Sequence, residues 1–180
     1  MLFAEVRMMH EVNMKNIMRH LSSFIAPIVV CIVIPFLIVV IERQFIDHPV
    51  ITPTTSFSVV GIVVCVVGLI LFIATIRMFI MIGNGTIMPW DPTRKLIVVG
   101  LYRHVRNPMI LSLIIILVGE ALLFASYGIA LLATVNFVIN TIYFIYSEEP
   151  GLKKRFGEEY IEYKQNVPRW IPRLKPWQPT

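Results

Sequence analysis

The stretch Met109–Tyr146, MILSLIIILVGEALLFASYGIALLATVNFVINTIYFIY, decides the architecture. It holds two apolar runs, about Met109 to Ala125 and about Gly128 to Tyr146, separated only by Ser126 and Tyr127. A helix rises about 1.5 Å per residue and a bilayer's hydrocarbon core is about 30 Å thick, so roughly 20 apolar residues make one span. Two such runs on so short a connection predict a tight antiparallel hairpin of membrane helices.

Working toward the N-terminus, two more runs qualify: about Phe57 to Ile82, and about Phe24 to Ile41 with Pro27 and Pro35 inside it. Lipid-embedded helices tolerate such prolines as kinks. The whole 180-residue chain agrees, with 57% hydrophobic and 15% charged residues and a mean hydropathy of +0.76. Soluble domains carry about 45–50% apolar and about 25% charged residues. Disorder, collagen and a disulfide-stapled scaffold are excluded, and Cys31 and Cys65 sit in apolar runs as small hydrophobes. The expected fold is all-α and polytopic, a single membrane domain over residues 1–180 with four spans. Residues 1–82 carry the N-terminal segment and two spans; residues 83–180 carry the remainder.

The net charge of +5 reads as membrane topology rather than nucleic-acid binding. One basic residue, Arg43, falls in the loops of one side. The other side holds Arg7, Lys15 and Arg19, then Arg94, Lys95, Arg103 and Arg106, and seven more after Glu148. The positive-inside rule predicts both termini and the 83–107 loop in the cytoplasm. After Glu149 the pattern changes. Leu152, Phe156, Tyr160 and Tyr163 at steps of four, four and three predict an amphipathic helix beginning at Pro150. The proline-rich Val167–Arg173 beyond it predicts an extended strap.

Polar residues inside spans each need an account. Asn136, Asn140, Tyr143 and Ser147 form a stripe leading to Glu148 and Glu149. For Asn136 interhelical hydrogen bonding is expected; for Asn140, Tyr143 and the glutamates, bonding and a ligand groove stand level. Glu120 is expected to fasten the hairpin near Thr134 and Asn136. Gly61, Cys65 and Gly68 share a close-packing face. Gly83-Asn84-Gly85 follows no strand and lacks the third glycine of a dinucleotide fingerprint; on this fragment alone it reads as an ordinary glycine helix stop, ahead of a helix end that lets a ligand approach the backbone. In Gly100–Pro108, GLYRHVRNP, Arg103 and Arg106 are expected to share a helical face and clamp a carboxylate or phosphate. No metal-ligand spacing and no nucleophile–base signature occurs.

The stretches GNGTIMPWDPTRKLIVVGLYRHVRNPM (Gly83–Met109), Glu148-Glu149 and LKKRFGEEYIEYKQNVPRWIP (Leu152–Pro172), in this order, resemble the isoprenylcysteine carboxyl methyltransferase and phospholipid methyltransferase superfamily. The resemblance covers the C-terminal half. It implies S-adenosylmethionine as cofactor, bound on the cytoplasmic side by Gly83, Gly85, Glu148 and Glu149, with Tyr102, His104, Pro108, Tyr160 and Arg169 of the matching stretches around it; the polar stripe adds Asn140 and Tyr143 as candidate cofactor contacts. It also implies a catalytic element Arg106-Asn107-Pro108, aided by Arg103. The family's Asn-Pro-Met-Tyr-x-Gly continuation is replaced here by Ile110 and Ser112, which bears on pocket width. Methyl transfer from a sulfonium needs alignment more than acid–base chemistry. The expected acceptor is lipophilic, a small molecule or a lipidated group, most simply a carboxylate of the isoprenylcysteine kind, and membrane lipids are expected partners besides. Phospholipid N-methylation, an NADPH-dependent membrane reductase and a non-enzymatic membrane subunit are the alternatives; nucleic acid is not an expected partner.

Overall fold

The computed structural model describes residues 25–45, 55–83 (side chains as far as Met78) and 96–179. The N-terminal segment with Arg7, Lys15 and Arg19, residue Phe24, and the loop with Gly85, Arg94 and Lys95 lie outside the described residues. Five helices are described: α1 (Ile25–Phe45), α2 (Thr55–Gly83), α3 (Pro108–Phe124), α4 (Tyr127–Tyr143) and α5 (Glu149–Asn166). No strand occurs among the described residues. Helices α1, α2 and α4 with its continuation are long and apolar enough to cross a membrane, and α3 is an apolar helix of 17 residues. This is an integral membrane bundle. Its outward faces are hydrocarbon, with Ile32, Phe36, Ile70 and Leu131 more than half exposed.

Helix α2 packs along α3, α4 lies against α3, and α1 meets α3 and α4. The expected small-residue face does this packing. A methyl group placed on Gly61 would lie 2.6 Å from the Leu123 nitrogen and 2.8 Å from the Gly119 carbonyl oxygen. Gly119 in turn approaches the Cys65 backbone as closely, so the two helices meet backbone to backbone. Ser112 is fully buried on this face, its hydroxyl donating to the Met109 carbonyl at 2.6 Å. It therefore fills the α2–α3 contact.

The hairpin turn falls one residue earlier than the sequence suggests, at Ala125-Ser126. Ala125 adopts the left-handed conformation that closes α3, with φ of 51°. Ser126 caps α4 by accepting from the Ile129 amide at 3.1 Å. A second free amide of that helix end, Gly128 N–H, donates to Glu42 Oε1 of α1 at 2.8 Å, which fastens α1 to the hairpin. Glu120 does not do this job. It faces α1 and α2, while Thr134 bonds back to Ala130 within α4.

Two π turns interrupt the helices, Val29–Val33 in α1 and Phe144–Glu148 between α4 and α5. Each is followed two residues later by a proline, Pro35 and Pro150. A proline inside a helix has no N–H to give and its ring presses on the carbonyl four residues back. Widening the preceding turn to i→i+5 bonding relieves that clash. The expected break before an amphipathic helix at Pro150 is thus a continuous but rotated helix, and α5 starts at Glu149. The true break comes at Gly157, whose φ of 55° and ψ of −128° suit only glycine.

Candidate functional site

Helix α5, the 96–107 segment and the C-terminal strap build a second, smaller core beyond the helix ends. Tyr160, Tyr163 and Val167 are buried there against Leu96, Val98, Leu152, Phe156 and Trp177. The 3-10 turn Gly100–Arg103 and the strap are laced by backbone bonds: Arg106 N–H to Pro168 O (2.9 Å), Arg173 N–H to His104 O (2.9 Å), and Trp177 N–H to Arg103 O (3.0 Å). His104 Nδ1 lies 2.7 Å from the Arg173 carbonyl. The Tyr163 hydroxyl donates to the Tyr102 carbonyl at 2.7 Å. Burial pushes the phenols of Tyr102 and Tyr163 upward, so both remain neutral.

At the seam sits Glu149, 6% exposed. Its Oε1 accepts from Arg106 Nη1 at 2.9 Å and from Arg169 Nε and Nη2 at 2.7 and 2.6 Å. Its Oε2 pairs with Lys164 Nζ at 2.7 Å. Arg106 Nη1 also donates to the Tyr160 hydroxyl at 3.2 Å. Burial alone raises the Glu149 pKa. The bonds from Lys164 and Arg169 and the charge of Arg106 outweigh it and hold the carboxyl below the ordinary carboxylate range. Three cations thus surround one carboxylate, leaving an excess of two positive charges. Two donors here are buried and unpaired among the described residues, Arg106 Nε and Trp170 Nε1. The Trp170 ring is wedged on α4 and the π turn, 5.1 Å from Phe137 and 5.7 Å from Phe144.

The structure brings together Arg106, Glu149, Tyr160 and Arg169 of the expected site, with Asn107 and Pro108 at the start of α3 beside them. Arg103 stands apart. The 100–107 segment is a 3-10 turn and a bend rather than a helix, so the two arginines share no face, and Arg103 Nε donates to the Val98 carbonyl at 3.2 Å. His104 holds the strap through Arg173, whereas Tyr102 holds α5 by accepting from Tyr163. Asn140 bonds to Asn136 within α4, to its carbonyl at 2.8 Å and its side-chain oxygen at 3.0 Å, so the interhelical bond expected for Asn136 is replaced by an intrahelical one. Tyr143 donates to Glu148 Oε2 at 3.4 Å, and Arg155 approaches the other oxygen at 4.0 Å. The two glutamates therefore face different surroundings: Glu149 is buried and saturated, Glu148 only loosely engaged. Gly83 is the last residue of α2. Lys164 and Trp170 were not foreseen, although Lys164 lies one turn beyond Tyr160 and Trp170 adjoins Arg169.

A family model described as phospholipid methyltransferase matches residues 57–159, which takes in α2, α3, α4 and most of α5. No curated protein matches the chain.

Proposed function

Because the chain belongs to the phospholipid methyltransferase family, a family of membrane methyltransferases, we propose that it moves a methyl group from S-adenosylmethionine to a lipid bearing an anionic group. The observation that carries this reading is the excess positive charge around Glu149, with the buried, unpaired Arg106 Nε and Trp170 Nε1 beside it. Buried donors without acceptors are costly, and an anionic oxygen relieves them.

The residues fit the cofactor as well. Glu148, loosely held by Tyr143 and Arg155, suits the ammonium or ribose hydroxyls of S-adenosylmethionine. When bound, the cofactor supplies an electrophilic methyl group. Arg106 orients the acceptor through its anionic oxygen, and Glu149 is a positioning residue that fixes the Arg106 and Arg169 guanidiniums. Trp170 and the strap exclude water from the site, which strengthens these electrostatic contacts. The site faces the cytoplasm in the orientation that basic-residue placement favours, so a soluble cofactor and a bilayer acceptor meet at the membrane surface.

Two acceptors suit this arrangement. A phospholipid amine has its phosphodiester for Arg106 to hold, and the family match favours it. A carboxylate of the isoprenylcysteine kind is favoured by the state of Glu149, which three cations make a poor base, since a carboxylate acceptor needs no proton removed. The test is methyl-label transfer from radiolabelled S-adenosylmethionine by the purified chain in nanodiscs, with phosphatidylethanolamine or a farnesylated cysteine supplied separately. Label in the phospholipid supports the first acceptor, label in the base-labile ester the second. No label in either, with no melting shift on adding S-adenosylhomocysteine, refutes the proposal.

A further inference from the structure

About 20 Å from the Arg106 cluster, counting the fourteen residues from Arg106 to Glu120 at about 1.5 Å each, lies a feature that methyl transfer does not use. Helices α1, α2 and α3 enclose a cavity of about 290 Å³, lined among others by Cys31, Cys65, Leu69, Phe72, Leu113 and Glu120. Its α1 wall combines Pro27 and Ile28 with Cys31 and Ile32 of the π turn Val29–Val33, and π turns recur at functional sites. At its rim Ile28, Ile32, Val66 and Leu69 are about half exposed, so the cavity opens sideways toward lipid.

The walls are hydrocarbon and thiol except for one carboxyl. Glu120 Oε2 is buried and has no hydrogen-bond partner among the described residues. In hydrocarbon an unsatisfied polar group is strongly unfavourable. A leucine at this position would fill the same wall without that cost. The α2–α3 contact does not require the carboxyl either, because that contact is made by Gly61, Gly68 and Gly119. Apolar walls with a single acceptor fit a ligand that is apolar with a single donor. At about 30 Å³ for each methylene-sized group, the space of a water molecule, the cavity has room for about ten.

We propose that this slot is a lateral binding site for a single-chain amphiphile whose head donates a hydrogen bond, a hydroxyl or an amine, to Glu120. Its chain lies along Leu69, Phe72 and Leu113. The ligand enters from the bilayer between α1 and α2 and does not share the Arg106 site.

The test uses the full chain in phosphatidylcholine nanodiscs with three photoactivatable diazirine probes of one ten-carbon skeleton: the alcohol, the primary amine, and the methyl ether that lacks a donor. Cross-linked peptides are mapped by mass spectrometry. The alcohol or the amine is expected to label peptides holding Cys31, Leu69 or Leu113 at least about tenfold more than the ether. Whichever of the two labels identifies the head. Glu120→Gln keeps an acceptor oxygen and is expected to keep the labelling; Glu120→Leu is expected to abolish the preference over the ether. Leu69→Trp, which fills the slot from another wall, is expected to suppress labelling with Glu120 intact, and it serves if Glu120→Leu fails to fold. Equal labelling by all three probes, labelling unchanged in Glu120→Leu or Leu69→Trp, or labels scattered over the lipid-facing surface would overturn the proposal.

Discussion

Replacing Glu149 by glutamine removes one charge from a site where three cations converge, and the cost can be worked from their burial. The side chains of Arg106 and Arg169 are 10% and 23% exposed, against 48% for Lys164. A half-exposed pair contributes at most about 1 kcal/mol. Breaking a buried pair by removing one partner costs about 3–5 kcal/mol, because a charge is left behind without compensation. Glutamine keeps one acceptor oxygen, so the low end applies, about 3 kcal/mol. The loss falls on the seam between α5 and the strap, since Arg169 lies in the strap and Arg106 N–H bonds to Pro168. It does not touch the α2–α3 contact. The expected result is a strap that opens about 100-fold more often while the membrane helices melt as before, at about 1.4 kcal/mol per factor of ten. Limited trypsin cleavage after Arg169 and Arg173 reads this directly, because cleavage tracks the open population when reclosing is fast. Lys164→Met is expected to accelerate cleavage by less than about fivefold. A Glu149→Gln rate within threefold of the wild type would refute the reasoning.

The same carboxylate sets an acid limit. Its pKa is held below the ordinary carboxylate value of 4.5 by the cations around it. Its contribution is therefore complete above that value and lost as pH falls through the lowered one, so strap cleavage by an acid-active protease is expected to rise as the pH is taken below the ordinary carboxylate value, and Glu149→Gln is expected to flatten that rise. Gly61→Ala places a methyl group against backbone and is expected to cost about 1–3 kcal/mol or more by overpacking. Gly151→Ala, with open space around it, is expected to leave the melting temperature unchanged or raise it slightly. Tyr163→Phe leaves the buried Tyr102 carbonyl without its donor and is expected to cost about 1–3 kcal/mol, read as faster strap cleavage.

The spans were legible because length and hydropathy suffice to define them, and the Gly61–Gly68 face because small residues at helical spacing have few other uses in lipid. Arg106 and Glu149 were each visible as types out of place at a membrane edge. Their partnership was not. It depends on the π turn at Phe144–Glu148, which rotates Glu149 inward and leaves Glu148 at the side, and a uniform helical count cannot register that rotation. Arg103 misled for the opposite reason: a three-residue spacing signals a shared face only on a helix, and Gly100–Arg103 is a 3-10 turn. The lacing of the strap onto the 96–107 segment joins residues more than sixty positions apart, where local pattern carries no signal. The level of Glu120 along α3 points to the hairpin, but level says nothing of direction around the helix.

The π turn before Glu149 also bears on how this segment tolerates changes of length. Each residue of an α-helix advances about 100°, and a π turn accommodates one residue more than an α turn in the same sweep. Removing any single residue between Phe144 and Ser147 and letting the turn tighten would return Glu149 to the side it occupies now, facing Arg106 and Arg169. Removing one from the regular part of α4 instead would swing it away. The turn behaves as a one-residue insertion already absorbed. Homologues one residue shorter at this point are expected to keep the buried carboxylate in place, and an alignment gap there would mark conserved geometry.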